Sequence, residues 1–173
     1  ERLEGHYPAN PDDTLRFALL ADLADAPHEQ MPGDEIIIDA LVTGIQRLNT
    51  LYTPGRRGPF HVLCRPRRFN PSERCAMAWE RKRGKLEEFN RLLRNPDDAG
   101  FTVKVGELSI LPSVRYVLTL DADSRLPRGA ARTLIGIIFH PLNRPVVDPV
   151  LRRVTAGYGI LQPRLAVSLP QSQ

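Results

Sequence analysis

Cysteine, long apolar runs and clustered histidines are what this chain has least of, and each shortage excludes something. Its two cysteines, Cys64 and Cys75, match no metal-ligand spacing, which leaves a reduced, intracellular setting as the default. Cys64 lies in an apolar run and is expected in the core. The four histidines, His6, His28, His61 and His140, are scattered, so neither a zinc site nor a Ser-His-Asp arrangement is read. There is no signal peptide and no apolar stretch near the roughly 18 residues that cross a bilayer, so no segment here is expected to span a membrane. A membrane-bound parent protein stays open. No initiator Met precedes Glu1-Arg2-Leu3-Glu4, and the chain closes on the polar Gln171-Ser172-Gln173. Both ends read as cuts from something longer. No internal repeat or low-complexity segment is present.

What is there suits one globular domain with a core: 173 residues, 42% hydrophobic and 25% charged. The net charge of +4 is unevenly spread. Between Arg56 and Arg94 stand twelve Lys or Arg against four Glu, a balance of +8, so the remainder carries −4. A block this basic suggests an anionic partner: nucleotide phosphates, nucleic acid or a membrane surface. Against nucleic acid, Phe60, Phe69, Trp79 and Phe89 are scattered and no nucleic-acid motif occurs. A basic helix resting on anionic lipid remains compatible with the other readings.

Residues 1–15 are polar and rich in turn formers, so an exposed leading segment is expected. Arg16–Ala21 reads as a buried strand delivering Asp22 at its carboxyl end, with Asp25 following. Asp34 is a candidate N-cap for a helix from about Glu35 to Leu51, whose inner face carries Ile37, Leu41, Ile45, Leu48 and Tyr52. Phe60–Cys64 is a further strand, followed by Arg65, Arg67, Arg68 and a loop at Asn70-Pro71-Ser72. Glu80–Arg94 reads as a helix with Leu86, Phe89, Leu92 and Leu93 inward. Gly84 near its start makes sense where the backbone approaches something closely. A short hairpin is expected through Val103–Leu108, a strand at Tyr116–Leu120, a helix over Gly129–Phe139 and a last strand at Gly157–Leu161. Strand and helix alternate, which predicts an α/β fold with a mostly parallel sheet flanked by helices.

The Tyr116–Leu120 run leads into Asp121 and Asp123, one residue apart. Ligands of open α/β sheets sit at the carboxyl ends of strands. Two carboxylates there suit a ribose, or Mg2+ or Mn2+ shared with water and phosphate. This points to a nucleotide-diphosphate site. A polar turn that caps the next helix is the plainer reading of the same four residues.

The stretches FALLADLADAP (17–27), PGDE (32–35), NPSE (70–73), WERKRGKLEEFNRLLR (79–94), RYVLTLDADSRLPRGAARTLIG (115–136), HPLNRP (140–145) and GYGILQPR (157–164) occur in family order. Together they span residues 17–164. They resemble the glycosyltransferase domain of bacterial cyclic β-1,2-glucan synthases. The resemblance implies residues 1–173 as a single partial domain of GT-A type, the Rossmann-like fold of nucleotide-diphospho-sugar transferases. It also implies inverting transfer of glucose from UDP-glucose onto a growing β-1,2-glucan. The parent would be a larger protein of the bacterial inner membrane, with this domain on the cytoplasmic face beside the membrane segments.

Residue roles follow by the same resemblance. Asp22, and less directly Asp25, would contact the uracil or ribose. Asp121 and Asp123 would form the metal-binding D-x-D pair, with Asp123 nearer the metal and Asp121 nearer the ribose. Lys85, with Arg81 and Arg83, would face the diphosphate, while Gln162 and Arg164 would border the acceptor. No catalytic residue is expected within the chain, since the general base would come from a segment beyond Gln173. A nucleotidyltransferase is the nearest rival enzyme, but it would carry a Gly-rich signature near its N-terminus that this chain does not show.

Overall fold

The structure, a computed structural model, describes residues 2–54, 58–97 and 99–164. They fall into two compact units, divided between Val117 and Leu118. Arg56 and Arg57 of the basic block lie outside the described residues.

The first unit is built on a parallel pair. Strand β1 (Phe17–Asp22) lies beside β2 (Phe60–Arg65) in unbroken register, from Phe17 opposite Phe60 to Asp22 opposite Arg65. Helix α2 (Asp34–Tyr52) connects them. All six residues of β2 are buried, as befits a central strand covered on both faces. Alternation along β2 sends Phe60 and Val62 into one cluster with Phe17 and Ile45, which Leu41, Leu48 and Tyr52 of α2 cover. Leu63 points into the opposite cluster, with Phe101, Leu111 and, from α3 (Arg81–Arg94), Phe89 and Leu92. The inner faces read from the two helical periodicities therefore hold, except that Ile37 is half exposed.

The α/β class is borne out, but the sheet is mixed. The third strand, β5 (Val103–Val105), joins β2 antiparallel, giving the order β1-β2-β5. The expected Val103–Leu108 hairpin is thus one strand of the sheet, ended by Gly106 at φ 118°, where a Cβ would collide with the His61 ring. A 3-10 turn follows at Leu108–Ser113. After β2 a short antiparallel hairpin pairs β3 (Arg68–Asn70) with β4 (Cys75–Met77), and its turn is closed by Ser72 N–H and Glu73 N–H donating to Asn70 Oδ1.

The leading segment is helical instead of loose. Helix α1 (Arg2–Ala9) places Leu3 and Tyr7 against the Phe17–Phe60 cluster. The Tyr7 ring stands 4.9 Å from Tyr52 and 5.4 Å from Phe60, centroid to centroid. Tyr52 donates its hydroxyl to Glu4 at 3.1 Å, tying α1 to the end of α2. Asp34 is not the N-cap of α2. Gly33, at φ 93°, occupies that position, and Asp34 opens the helix with its carboxylate turned to Met31 N–H and Arg67.

In the second unit, α4 (Ala130–Phe139) forms as read, with Gly129 as its N-cap in the left-handed region. Two strand expectations fail. Tyr116–Leu120, which runs across the division at Val117, carries no ladder, and Tyr116, Val117, Leu118 and Leu120 are 38–45% exposed. An apolar run favours burial, but a strand also needs a neighbour for its backbone, and none pairs with it among the described residues. Gly157–Leu161 is likewise irregular. The pairing sits earlier, in a hairpin of β6 (Val146–Asp148) and β7 (Arg153–Ala156), whose turn is held by Val150 N–H and Leu151 N–H on Asp148 Oδ1, both at 2.8 Å. No helix among the described residues is long and apolar enough to cross a membrane.

Candidate functional site

The register of β1 and β2 brings Asp22 and Arg65 to the same carboxyl end of the sheet, and α3 runs past them. Arg65 is 1% exposed and makes five hydrogen bonds: Nε to Asp22 Oδ1 at 2.7 Å, Nη2 to Asp22 Oδ2 at 3.0 Å and to the Arg81 carbonyl at 2.8 Å, and Nη1 to Glu88 Oε2 at 3.0 Å and to the Trp79 carbonyl at 2.9 Å. That uses every N–H of the guanidinium. Lys85 reaches the same carboxylate, with Nζ 2.9 Å from Asp22 Oδ2, and also donates to Leu20 O at 3.3 Å. Two cations and two carboxylates, Arg65 and Lys85 with Asp22 and Glu88, form one compensated group.

These contacts set the ionisation. Burial disfavours the charged form of Asp22, but hydrogen bonds from Arg65 and Lys85 outweigh it and hold the carboxyl below its ordinary range. Burial works likewise against the charge of Arg65, and its bonds to Asp22 and Glu88 more than offset this. Asp22 is thus an ionised carboxylate fixed at a strand end, the position from which α/β proteins address ligands.

The turn into α3 explains the glycine singled out from the sequence. Glu80 and Arg81 both have positive φ, 50° and 46°, so the chain doubles back before the helix. Arg65 grips the carbonyls on either side of Glu80. A Cβ at Gly84 would collide with the Trp79 carbonyl and indole, so the close approach is to Trp79. Arg81 pairs with Asp25 at 2.8 Å, and Arg83 pairs with Glu80 at 3.2 Å. Arg83 and Arg91 stand over the Trp79 ring, 5.8 Å and 5.9 Å from its centroid.

The first unit therefore gathers Asp22, Asp25, Arg81 and Lys85 near one strand end, while Arg83 lies against Glu80 and the Trp79 ring. Arg65 and Glu88 were not singled out from the sequence. The available signal was an arginine closing an apolar strand, which gains meaning only through the register opposite Asp22. A second buried arginine, Arg67, holds Asp34 with both terminal nitrogens, at 2.6 Å and 3.1 Å, and ties the α2 start to β2's continuation. Hydrogen bonds from Arg67 and from Met31 N–H lower the Asp34 carboxyl.

Asp121 and Asp123 lie in the second unit, on an exposed turn in which Ser124 N–H donates to Asp121 O at 2.9 Å. Among the described residues no group of three or more His, Cys, Asp or Glu converges as a metal cage. A pair of exposed carboxylate side chains is nonetheless the donor set Mg2+ takes together with water and substrate phosphate. Gln162 and Arg164 are exposed and irregular in backbone.

The motif resemblance is matched by a long alignment. The chain is 44% identical over 167 residues to cyclic beta-(1,2)-glucan synthase NdvB of Rhizobium meliloti (strain 1021). It resembles one segment of a cyclic glucan synthase. The alignment takes in 96% of this chain but only 6% of the length of that synthase. No family model matches the chain. The ionic group around Arg65 is built from two of the motif stretches read above, Asp22 from residues 17–27 and Lys85 and Glu88 from residues 79–94.

Proposed function

We propose that this chain supplies the donor-binding part of a UDP-glucose-dependent, inverting glucosyltransferase that builds cyclic β-1,2-glucan within a larger membrane-associated synthase. The observation that carries this is the 44% identity across 167 residues to a cyclic glucan synthase. The strand-end group of Asp22, Asp25, Arg81 and Lys85 supports it, because it combines an ionised acceptor for ribose or uracil hydrogen bonds with cations for a diphosphate. In this reading the sheet of the first unit is part of a GT-A fold. Asp121 and Asp123 would hold Mg2+ or Mn2+, which would supply charge neutralisation for a leaving diphosphate. Lys85, Arg81 and Arg83 orient the diphosphate through charge-assisted hydrogen bonds. Gln162 and Arg164 border the growing glucan, and the general base comes from elsewhere in the synthase.

Calorimetric titration of UDP into the chain, with Mn2+ and then with a chelator, tests this. Binding is expected only with metal and is expected to vanish in Asp123→Ala. Binding that survives both the chelator and Asp123→Ala would remove the metal role of that pair.

A further inference from the structure

The Asp22 carboxylate has two cationic partners, and they are unequal. Arg65 is buried and bidentate, and each of its remaining N–H groups is committed to Glu88 or to the backbone before α3. Lys85 holds Asp22 through one oxygen, its side chain is 22% exposed, and its stem starts from a helix surface. Two of its three ammonium protons have acceptors among the described residues. Moving Lys85 away leaves Asp22 still paired on both oxygens. Moving Arg65 away would leave Asp22 to Lys85 alone and Glu88 to Arg91 at 3.6 Å, and would take the guanidinium donors from two carbonyls. The group is therefore arranged so that one cation stays and the other is able to leave.

We propose that Arg65 is a positioning residue for nucleotide binding: it alone keeps Asp22 compensated and in place, so that Lys85 can turn from Asp22 to an incoming diphosphate. This rests on the donor-site reading above. Without the guanidinium, Lys85 becomes the sole counter-ion of a half-buried carboxylate, and a phosphate oxygen must compete with Asp22 for it. Lysine at position 65 keeps the charge but brings three donors in place of a fork of five, which cannot serve both Asp22 oxygens, Glu88 and two carbonyls together. Glu88 draws on the same guanidinium. Removing its charge gives Arg65 more fully to Asp22 and loosens Lys85 further.

The test is calorimetric titration of UDP and, separately, uridine into the full chain in Mn2+ buffer, with Arg65→Lys, Glu88→Gln and Glu87→Gln. Glu87 is an exposed carboxylate one residue away that no contact joins to Arg65, and it controls for plain charge removal on α3. Arg65→Lys is expected to weaken UDP about tenfold, the scale of one charge-assisted hydrogen bond, with a smaller loss for uridine. Glu88→Gln is expected to tighten UDP and leave uridine alone, while Glu87→Gln changes neither. A merely structural arginine would not improve UDP binding when its neighbour is neutralised. Equal losses of UDP and uridine in Arg65→Lys overturn the inference alone. If Arg65→Lys does not fold, the two glutamate variants decide: equal effects, or none from Glu88→Gln, overturn it. A chain that binds neither UDP nor uridine overturns the donor-site reading and this inference with it.

Discussion

Before Val117 a buried ionic group and two covered apolar clusters stand beside some exposed apolar side chains such as Ile36 and Leu51; after it nearly all apolar side chains are turned wholly or partly to solvent. The first unit has two hydrophobic clusters and an arginine with every donor used. Beyond Val117, Ala131 is the one buried hydrophobic residue among those described, and Val150 and Ile160 are each 86% exposed. The candidate nucleotide carboxylate Asp22 is fixed by its own protein, whereas the candidate metal carboxylates sit on an open turn. The first arrangement is preorganised, and it loses little on meeting a ligand. The second, if it takes a cation as proposed, would be shaped in part by the coordination demands of that cation.

The largest test of this contrast is truncation of buried and exposed apolar groups. Phe60→Ala, at a fully buried ring, is expected to cost about 3–5 kcal/mol in chemical denaturation. Val150→Ala is expected to stay within about 0.5 kcal/mol. Similar costs would erase the distinction between the two units.

Two glycine-to-alanine changes in helices sharpen it. Gly84→Ala brings a methyl onto the Trp79 carbonyl and is expected to destabilise by about 1–3 kcal/mol. Gly136→Ala on α4 meets nothing within 4 Å and should instead gain up to about 1 kcal/mol from helix propensity. Thermal melts of the two variants should shift in opposite directions.

The smallest effect is an acid limb. The Asp22 carboxyl is lowered in the folded state, so its contribution is complete above the ordinary carboxylate range, near about pH 4. It is lost as pH falls through the lowered value. Trp79, the single tryptophan, lies in the first unit and reports on that region in fluorescence. Its unfolding midpoint should decline below about pH 4, and Asp22→Asn should flatten that decline. An unchanged slope in the variant would mean that other groups carry the acid response.

Long, periodic elements were legible in the sequence, and short or polar ones were not. α2, α3 and α4 announce themselves by spacing, and β1 and β2 by compact apolar runs. α1 was hidden because its polar composition and Pro8 mask the i, i+4 pair of Leu3 and Tyr7, which only packing reveals. The two hairpins have strands of three or four residues, too short for an alternation to register. Tyr116–Leu120 misled in the other direction, since β-branched and apolar content describes a preference and not a partner. For the site, Asp22, Asp25, Arg81 and Lys85 could be picked out one by one. Their assembly depended on Arg65, and strand register cannot be read from either strand separately.

The saturation of Arg65 has a genetic consequence. No other side chain offers five donors in a plane, so no missense change at codon 65 preserves the arrangement. Asp22 and Glu88 are constrained through it, because a change at either leaves a buried guanidinium partly unanswered. The same guanidinium holds the carbonyls of Trp79 and Arg81, so a change at position 65 reaches the left-handed turn at Glu80 and Arg81 as well as the sheet.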